Sequence, residues 1–215
     1  MAEATVDGDV LRGEPPAFDP SQAADIAERL FGLRGTASPV GSERDQGFVI
    51  RGPDGPVGVL KISNASEDPA VVDMETAAAL HVLAVDPSLP VAAPLRVVGV
   101  DPPSGREAFV TRVEGPGGRS HLVRACTHMP GTASVDPPEI GAEAAFAYGA
   151  VVARLGRAMR SFFHPSAARV LMWDVHHAAT MRPLLEAIAD GDPDGARRVA
   201  LEHVLSFARQ MRAAL

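Results

Sequence analysis

Pro56-Val57-Gly58-Val59-Leu60-Lys61-Ile62 is an apolar, β-prone run with one ammonium near its end, and the reading of that lysine decides the fold. It is the only lysine in the chain: the other nineteen of the 20 Lys and Arg residues are arginine. A composition so biased uses arginine wherever a surface charge alone is needed. A lysine kept inside a strand therefore points to a need for a compact charge on a flexible stem. A strand lysine preceded by small apolar residues is a known way of holding nucleotide phosphates. The competing reading is a lysine on an edge strand facing water. The neighbouring sequence has to choose between them.

Composition narrows the choice. The 215 residues suit one large or two small domains, and 46% hydrophobic with 22% charged residues is ordinary for a soluble globular chain. A net charge of −7 argues against a general nucleic-acid binder, which needs a basic stripe, and against binding to anionic membrane surfaces. The acidic start, Met1 to Asp9, lacks the basic-then-apolar pattern of a signal peptide, and no apolar run reaches membrane-span length. The single cysteine, Cys126, cannot form an internal disulfide, so a reducing, cytoplasmic setting is expected. Within Leu122-Val123-Arg124-Ala125-Cys126 it reads as a small buried hydrophobe.

Along the chain, residues 1–19 read as a loose leader and residues 20–134 as a β-rich lobe. Ser21 is expected to cap a helix from Gln22 to Leu30 that ends near Gly32. Gly47 to Arg51 and Val57 to Ile62 flank Gly52-Pro53-Asp54-Gly55, a strong hairpin signal. Further strands are expected at Leu95 to Val100, Ala108 to Val113 and His121 to Cys126, the last two joined through Gly115-Pro116-Gly117-Gly118. One helix, Pro69 to Val85, interrupts the strands. Residues 135–215 change to helical character. Asp136 with two prolines starts a helix whose apolar stripe runs from Ile140 to Phe162, and two more helices follow, Val175 to Ala189 and Asp194 to Ala214. The result is an α+β chain of two lobes.

Wrapping Pro69 to Val85 at helical pitch puts Val71, Val72, Ala78, Ala79, Val82 and Leu83 on one arc, with Glu75 near its centre. A buried carboxylate needs a cation, and Lys61 on the preceding strand is the expected partner. A strand lysine paired with an acid on the next helix is the ion pair that positions nucleotide phosphates in protein-kinase-like enzymes. The alternatives are Glu75 at the rim of the sheet, or another cation such as Arg44 meeting it. Upstream, the glycines from Phe31 to Gly41 read as a loop whose N–H groups approach phosphate oxygens, with Ser42 and Arg44 as side-chain donors. No Walker motif is present.

These runs have a family likeness. Phe31-Gly32-Leu33, then Ser42 to Phe48, then Val59-Leu60-Lys61-Ile62-Ser63-Asn64 resemble the start of the aminoglycoside-phosphotransferase-like kinases, and within them the hydroxylysine kinase branch. His121-Leu122-Val123-Arg124, Met129-Pro130-Gly131 and Leu171-Met172-Trp173-Asp174 followed by His177-Ala178 continue the likeness in order, from about residue 25 onward. The resemblance implies a kinase-like N-lobe, with ATP or GTP held between the lobes. Lys61 would bind the phosphates, Glu75 would orient it, and Val59 would cover the adenine. Thr127, His128 and Met129 would form a hinge offering backbone hydrogen bonds to the base. The family pattern has Asn at the position of Gly47.

The same family needs a carboxylate base and Mg²⁺ ligands from a His-x-Asp loop and a following Asn. None of the seven histidines is followed by x-Asp. Asp190-Gly191-Asp192-Pro193-Asp194 lacks calcium-loop spacing and reads as a solvated turn. Trp173-Asp174 with His176 and His177 reads as helix-start packing rather than a metal cluster. No catalytic and no metal-ligating residue is therefore assigned, and the chain reads as stopping short of the catalytic loop. The expected parent reaction moves the γ-phosphoryl of ATP to a hydroxyl of a small amine-bearing molecule. The rivals are a non-catalytic interaction module or weak nucleotide-binding fragment, and an unrelated α+β binding domain with a structural Lys61–Glu75 pair. Self-association through the apolar stripe of the long helix is also expected.

Overall fold

Gly52-Pro53-Asp54-Gly55 folds as its residues dictate. In the computed structural model, which describes residues 14–42, 44–99, 108–131 and 141–168, this turn joins β2 (Gln46–Gly52) to β3 (Gly55–Ile62) in antiparallel register. Gly55 takes φ 123°, a conformation open to glycine and strained for other residues. β4 (Val110–Glu114) and β5 (Ser120–Cys126) form the second expected hairpin, turned by Gly117 and Gly118 at positive φ. With β1 (Thr36–Val40), the strands make one antiparallel sheet in the order β1-β2-β3-β5-β4.

Strand alternation gives this sheet two different faces. Phe48, Leu60 and Ala125 align across β2, β3 and β5, as do Ile62 and Val123 on the same face. That face is covered by α1 (Pro20–Phe31), whose Ala23, Ile26, Ala27 and Phe31 sit at helical spacing and join the main core with them. The opposite face carries Val59, Lys61, Arg124 and Cys126 and looks toward α2 (Pro69–Val85).

The ends of α1 differ from expectation in one respect. Asp19, not Ser21, caps it: the carboxylate accepts from Gln22 N–H at 2.9 Å while the Gln22 side chain accepts from Asp19 N–H at 3.0 Å. Pro20 fits the first helical position because it has no N–H to satisfy. Gly32 closes the helix at φ 68°, where the sequence placed its end. The segment expected to be a loose leader contributes to the core at its end. Phe18 is buried, is clasped by Gln46 through both its N–H and its C=O, and meets the His121 ring edge-on.

Two strand expectations change. Thr36–Val40, read as part of a glycine loop, is the edge strand β1, and Pro39 is tolerated there because an edge has one unpaired side. Leu95 to Val100, read as a strand, forms only scattered bonds over its described residues, including Leu95 N–H to Ala125 O and Val97 N–H to Ala108 O. Its donors are shared among separate partners, with Val98 N–H bonded to Leu30 O at the end of α1.

Behind β3, Asn64 ties three segments together. Its N–H donates to Asp45, its side-chain amide donates to Glu14 O and Arg44 O, and its Oδ1 accepts from Ser66. Asp68 caps α2 beside this knot. A second, smaller core joins α2 to α3 (Ala142–Met159) through Val82, Leu89 and Ala158. Polar bonds reinforce it: Arg154 forks onto Asp86, His81 donates to Ala158 O, and His164 meets Asp73. Phe146, Tyr148, Val152 and Leu155 of α3 are exposed. Asp136 and the helices expected at 175–189 and 194–214 lie outside the described residues, as do Trp173, Asp174, His176, His177 and the 190–194 carboxylates. Among the described residues no helix is long and apolar enough to cross a membrane.

Candidate functional site

The antiparallel register between β3 and β5 sets Lys61 directly opposite Arg124, and Val59 opposite Cys126. Residues so placed project from the same face with Cβ atoms about 5 Å apart. Two cations therefore stand side by side on the floor of a pocket of about 170 Å³. Glu75, Thr76 and Ala79 of α2 form one wall, while Ala92, Pro94 and Phe109 supply an apolar side. On the other side of Lys61 the register places Gly47. A Cβ there would come 2.6 Å from Val40 Cγ2, so the bare position lets the Val40 side chain of β1 pack closely over β2.

Lys61 and Glu75 do line one pocket, but the buried pair expected between them is corrected. Arg124 makes the ion pair with Glu75. The Glu75 side chain is 40% exposed, against 16% for Arg124, and Lys61 is exposed as well. The reason lies in α2, whose apolar residues run nearly all round, so helical wrapping alone does not select the buried direction. The helix turns Val71, Val72, Thr76, Ala77 and Val82 inward, and Thr76 satisfies its hydroxyl on Val72 O at 2.9 Å.

The remaining site residues fall in two groups. Val59 shares the face of Lys61 and is half-buried. Thr127, His128 and Met129 follow β5 where it leaves the pocket. Thr127 N–H donates to Ala93 O, and its hydroxyl accepts from Ala93 N–H. Among the described residues the N–H groups of His128 and Met129 have no hydrogen-bond partner. Arg44 is engaged elsewhere, 3.2 Å from Glu67 at the start of α2, and Ser42 is exposed in the β1–β2 connection.

Two pocket residues were given no role from the sequence. Arg124 was visible only as part of a family run, and Cys126 read as a small core residue. Burial pushes the Cys126 thiol pKa up, and the neighbouring Lys61 and Arg124 charges pull it partly back. Leu122, Arg124 and Cys126 alternate on β5, which is the signal that puts the arginine and thiol on one face. Among the described residues no group of three His, Cys, Asp or Glu side chains is placed to hold a metal ion.

Known proteins share features of this sequence and fold. The chain is 27% identical over 209 residues to a hydroxylysine kinase of Mus musculus, 28% over 187 residues to that of Bos taurus, and 30% over 194 residues to that of Danio rerio. These relatives support an aminoglycoside-phosphotransferase-like kinase family for the chain, on the side of the hydroxylysine kinases. The matches cover 91%, 80% and 83% of this chain, which spans about half the length of these curated relatives (53%, 48% and 50%). The fold of the chain is similar to that in the structure of amicoumacin kinase hAmiN in complex with AMP-PNP, Ca2+ and Ami. That likeness has a TM-score of 0.51 at 16% identity and covers 69% of this chain and 42% of that one. No protein-family model matches the chain.

Proposed function

We propose that this chain is the nucleotide-binding part of an ATP-dependent (or GTP-dependent) small-molecule kinase. The parent reaction moves the γ-phosphoryl group to a hydroxyl of a small amine-bearing substrate, with 5-hydroxylysine as the substrate class that the relatives favour. One observation carries the reading: the only lysine of the chain stands on a central strand, on the floor of a pocket walled by the next helix. A polyanion entering there meets Lys61 against the low-dielectric surfaces of Ala79, Ala92 and Phe109, where charge is felt more strongly than in water. His128 and Met129 offer backbone donors at the pocket's edge for a base. In this reading, the lack of any His-x-Asp run makes the chain a binder of nucleotide that does not itself transfer phosphate, because transfer depends on a placed carboxylate and metal ions. Cytoplasmic residence, and self-association through the exposed face of α3, belong to the same proposal.

Calorimetric titration of the 215-residue chain with ATP, with and without Mg²⁺, tests the reading against Lys61→Met. Binding by the parent chain and its loss in the variant is the expected result. Absence of binding in both leaves the alternative, a non-catalytic interaction module.

A further inference from the structure

Pro94 lies opposite Cys126 in an antiparallel bridge, which sets Ala93 opposite Thr127. Opposed residues at such a place in a ladder exchange two bonds, each N–H going to the other's carbonyl. Ala93 and Thr127 keep only half of that exchange. Thr127 N–H donates to Ala93 O at 2.9 Å, but Ala93 N–H donates to the Thr127 hydroxyl, also at 2.9 Å. The hydroxyl stands in for the carbonyl. Among the described residues the Thr127 C=O is left without a hydrogen-bond partner. Cys126, the residue before it, and Ala92 and Pro94, either side of Ala93, all line the pocket. A half-buried carbonyl withheld from the ladder beside an apolar wall gains from a donor that a ligand brings.

We infer that Thr127 determines base specificity: its hydroxyl frees its own carbonyl to accept an N–H from the edge of a purine. The inference rests on the nucleotide reading above and deepens it by naming what the base must carry. Two bases meet the requirement, adenine through its exocyclic amine and guanine through its ring N1–H. A purine with no donor on that edge leaves the carbonyl unpaired. Thr127 thus serves the base as an acceptor, while its N–H is taken up by Ala93 and is not a donor to the ligand. Removing the hydroxyl returns Ala93 N–H to the carbonyl, its regular ladder partner, and closes the acceptor.

The test is calorimetric titration of the full chain with ATP, GTP and purine riboside triphosphate, which keeps the ring and phosphates but has no donor on that edge. The better of ATP and GTP identifies the base. It is expected to bind about tenfold more tightly than purine riboside triphosphate, the scale of one hydrogen bond in a partly buried site. Thr127→Val keeps the side-chain shape and is expected to erase that ratio by weakening the preferred nucleotide alone. Thr127→Ser retains the hydroxyl and is expected to preserve the ratio. Lys61→Met is expected to lose all three ligands alike, because they share the triphosphate. If Thr127→Val does not fold, the parent chain decides through the Thr127 carbonyl carbon resonance in NMR. That resonance is expected to move with the preferred nucleotide and to stay in place with purine riboside triphosphate. Equal binding of the three ligands by the parent chain overturns the inference, as does a ratio that survives in Thr127→Val or vanishes in Thr127→Ser. A carbonyl resonance that responds equally to all three overturns it too. If the parent chain binds none of them, the nucleotide reading fails first and this inference falls with it. Binding that depends on Lys61 but is indifferent to the base edge sinks the inference alone.

Discussion

Arg124 and Glu75 join the sheet to α2 through an ion pair whose cation is mostly buried and whose anion is the more exposed partner. This inequality sets the cost of breaking it from either end. Removing the acid strands a guanidinium that water reaches poorly, whereas removing the cation leaves a carboxylate that hydrates readily.

Glu75→Ala is therefore expected to destabilise the chain by about 1–2 kcal/mol in urea melts, between the values for surface pairs and for fully buried ones. Arg124→Met keeps the apolar stem in place and is expected to cost less than Glu75→Ala. Equal losses, or the reverse order, would mean that the guanidinium is better solvated than its surroundings imply.

The Asn64 knot supplies a second prediction. The residue is 3% exposed, and both its side-chain nitrogen and oxygen are bonded. Asn64→Ala leaves the carbonyls of Glu14 and Arg44 and the Ser66 donors without partners, at an expected cost of about 2–3 kcal/mol. Because the knot holds the loop after Lys61 and the β1–β2 connection together, hydrogen exchange should rise at Arg44, Asp45 and Ser66 in this variant before it rises in β5. Uniform acceleration across the sheet would count against a local role.

How far this was legible in the sequence depends on how far apart the deciding residues lie. The two hairpins were readable because Gly52 to Gly55 and Gly115 to Gly118 carry their own turn chemistry, and α2 was readable from Asp68-Pro69 onward for the same local reason. β1 was missed because Thr36-Ala37-Ser38-Pro39-Val40 is small and polar and contains a proline, so only pairing with β2 makes it a strand. The same lack of local signal hid the role of Arg124. Its place opposite Lys61 is set by pairing between β3 and β5, strands separated by a helix and a further strand. Lys61 stood out by composition, whereas the choice of Glu75's partner needed that register.

Gly35 separates a structural glycine from a phosphate-contacting one. The sequence placed it in a loop approaching phosphate oxygens, but a Cβ on Gly35 would run into the backbone carbonyl of Arg51, at φ 155°. Backbone cannot move aside as a side chain tip does. Gly35→Ala is expected to destabilise the chain by at least about 2 kcal/mol, as an overpacked and conformationally strained site. The loss should appear in thermal melts without any nucleotide present, whereas a glycine serving only a ligand would melt as the parent does.

The link between α2 and α3 carries a pH dependence whose sign is fixed by Asp86. Hydrogen bonds from Arg154, and then from Ser88, hold its carboxyl below the ordinary value of 3.8. A carboxyl depressed in the folded state stabilises that state wherever it is ionised in both forms, so the contribution is complete above 3.8. It declines as pH falls through the lower folded-state value, because the unfolded chain then takes up the proton more readily than the folded one. Asp86→Asn keeps the shape and removes the titration. The melting-temperature gap between the parent chain and this variant should thus be widest near neutral pH and narrow below 3.8. A gap that stays constant to the acid end of the series would show that Arg154 gains nothing from the charge on Asp86.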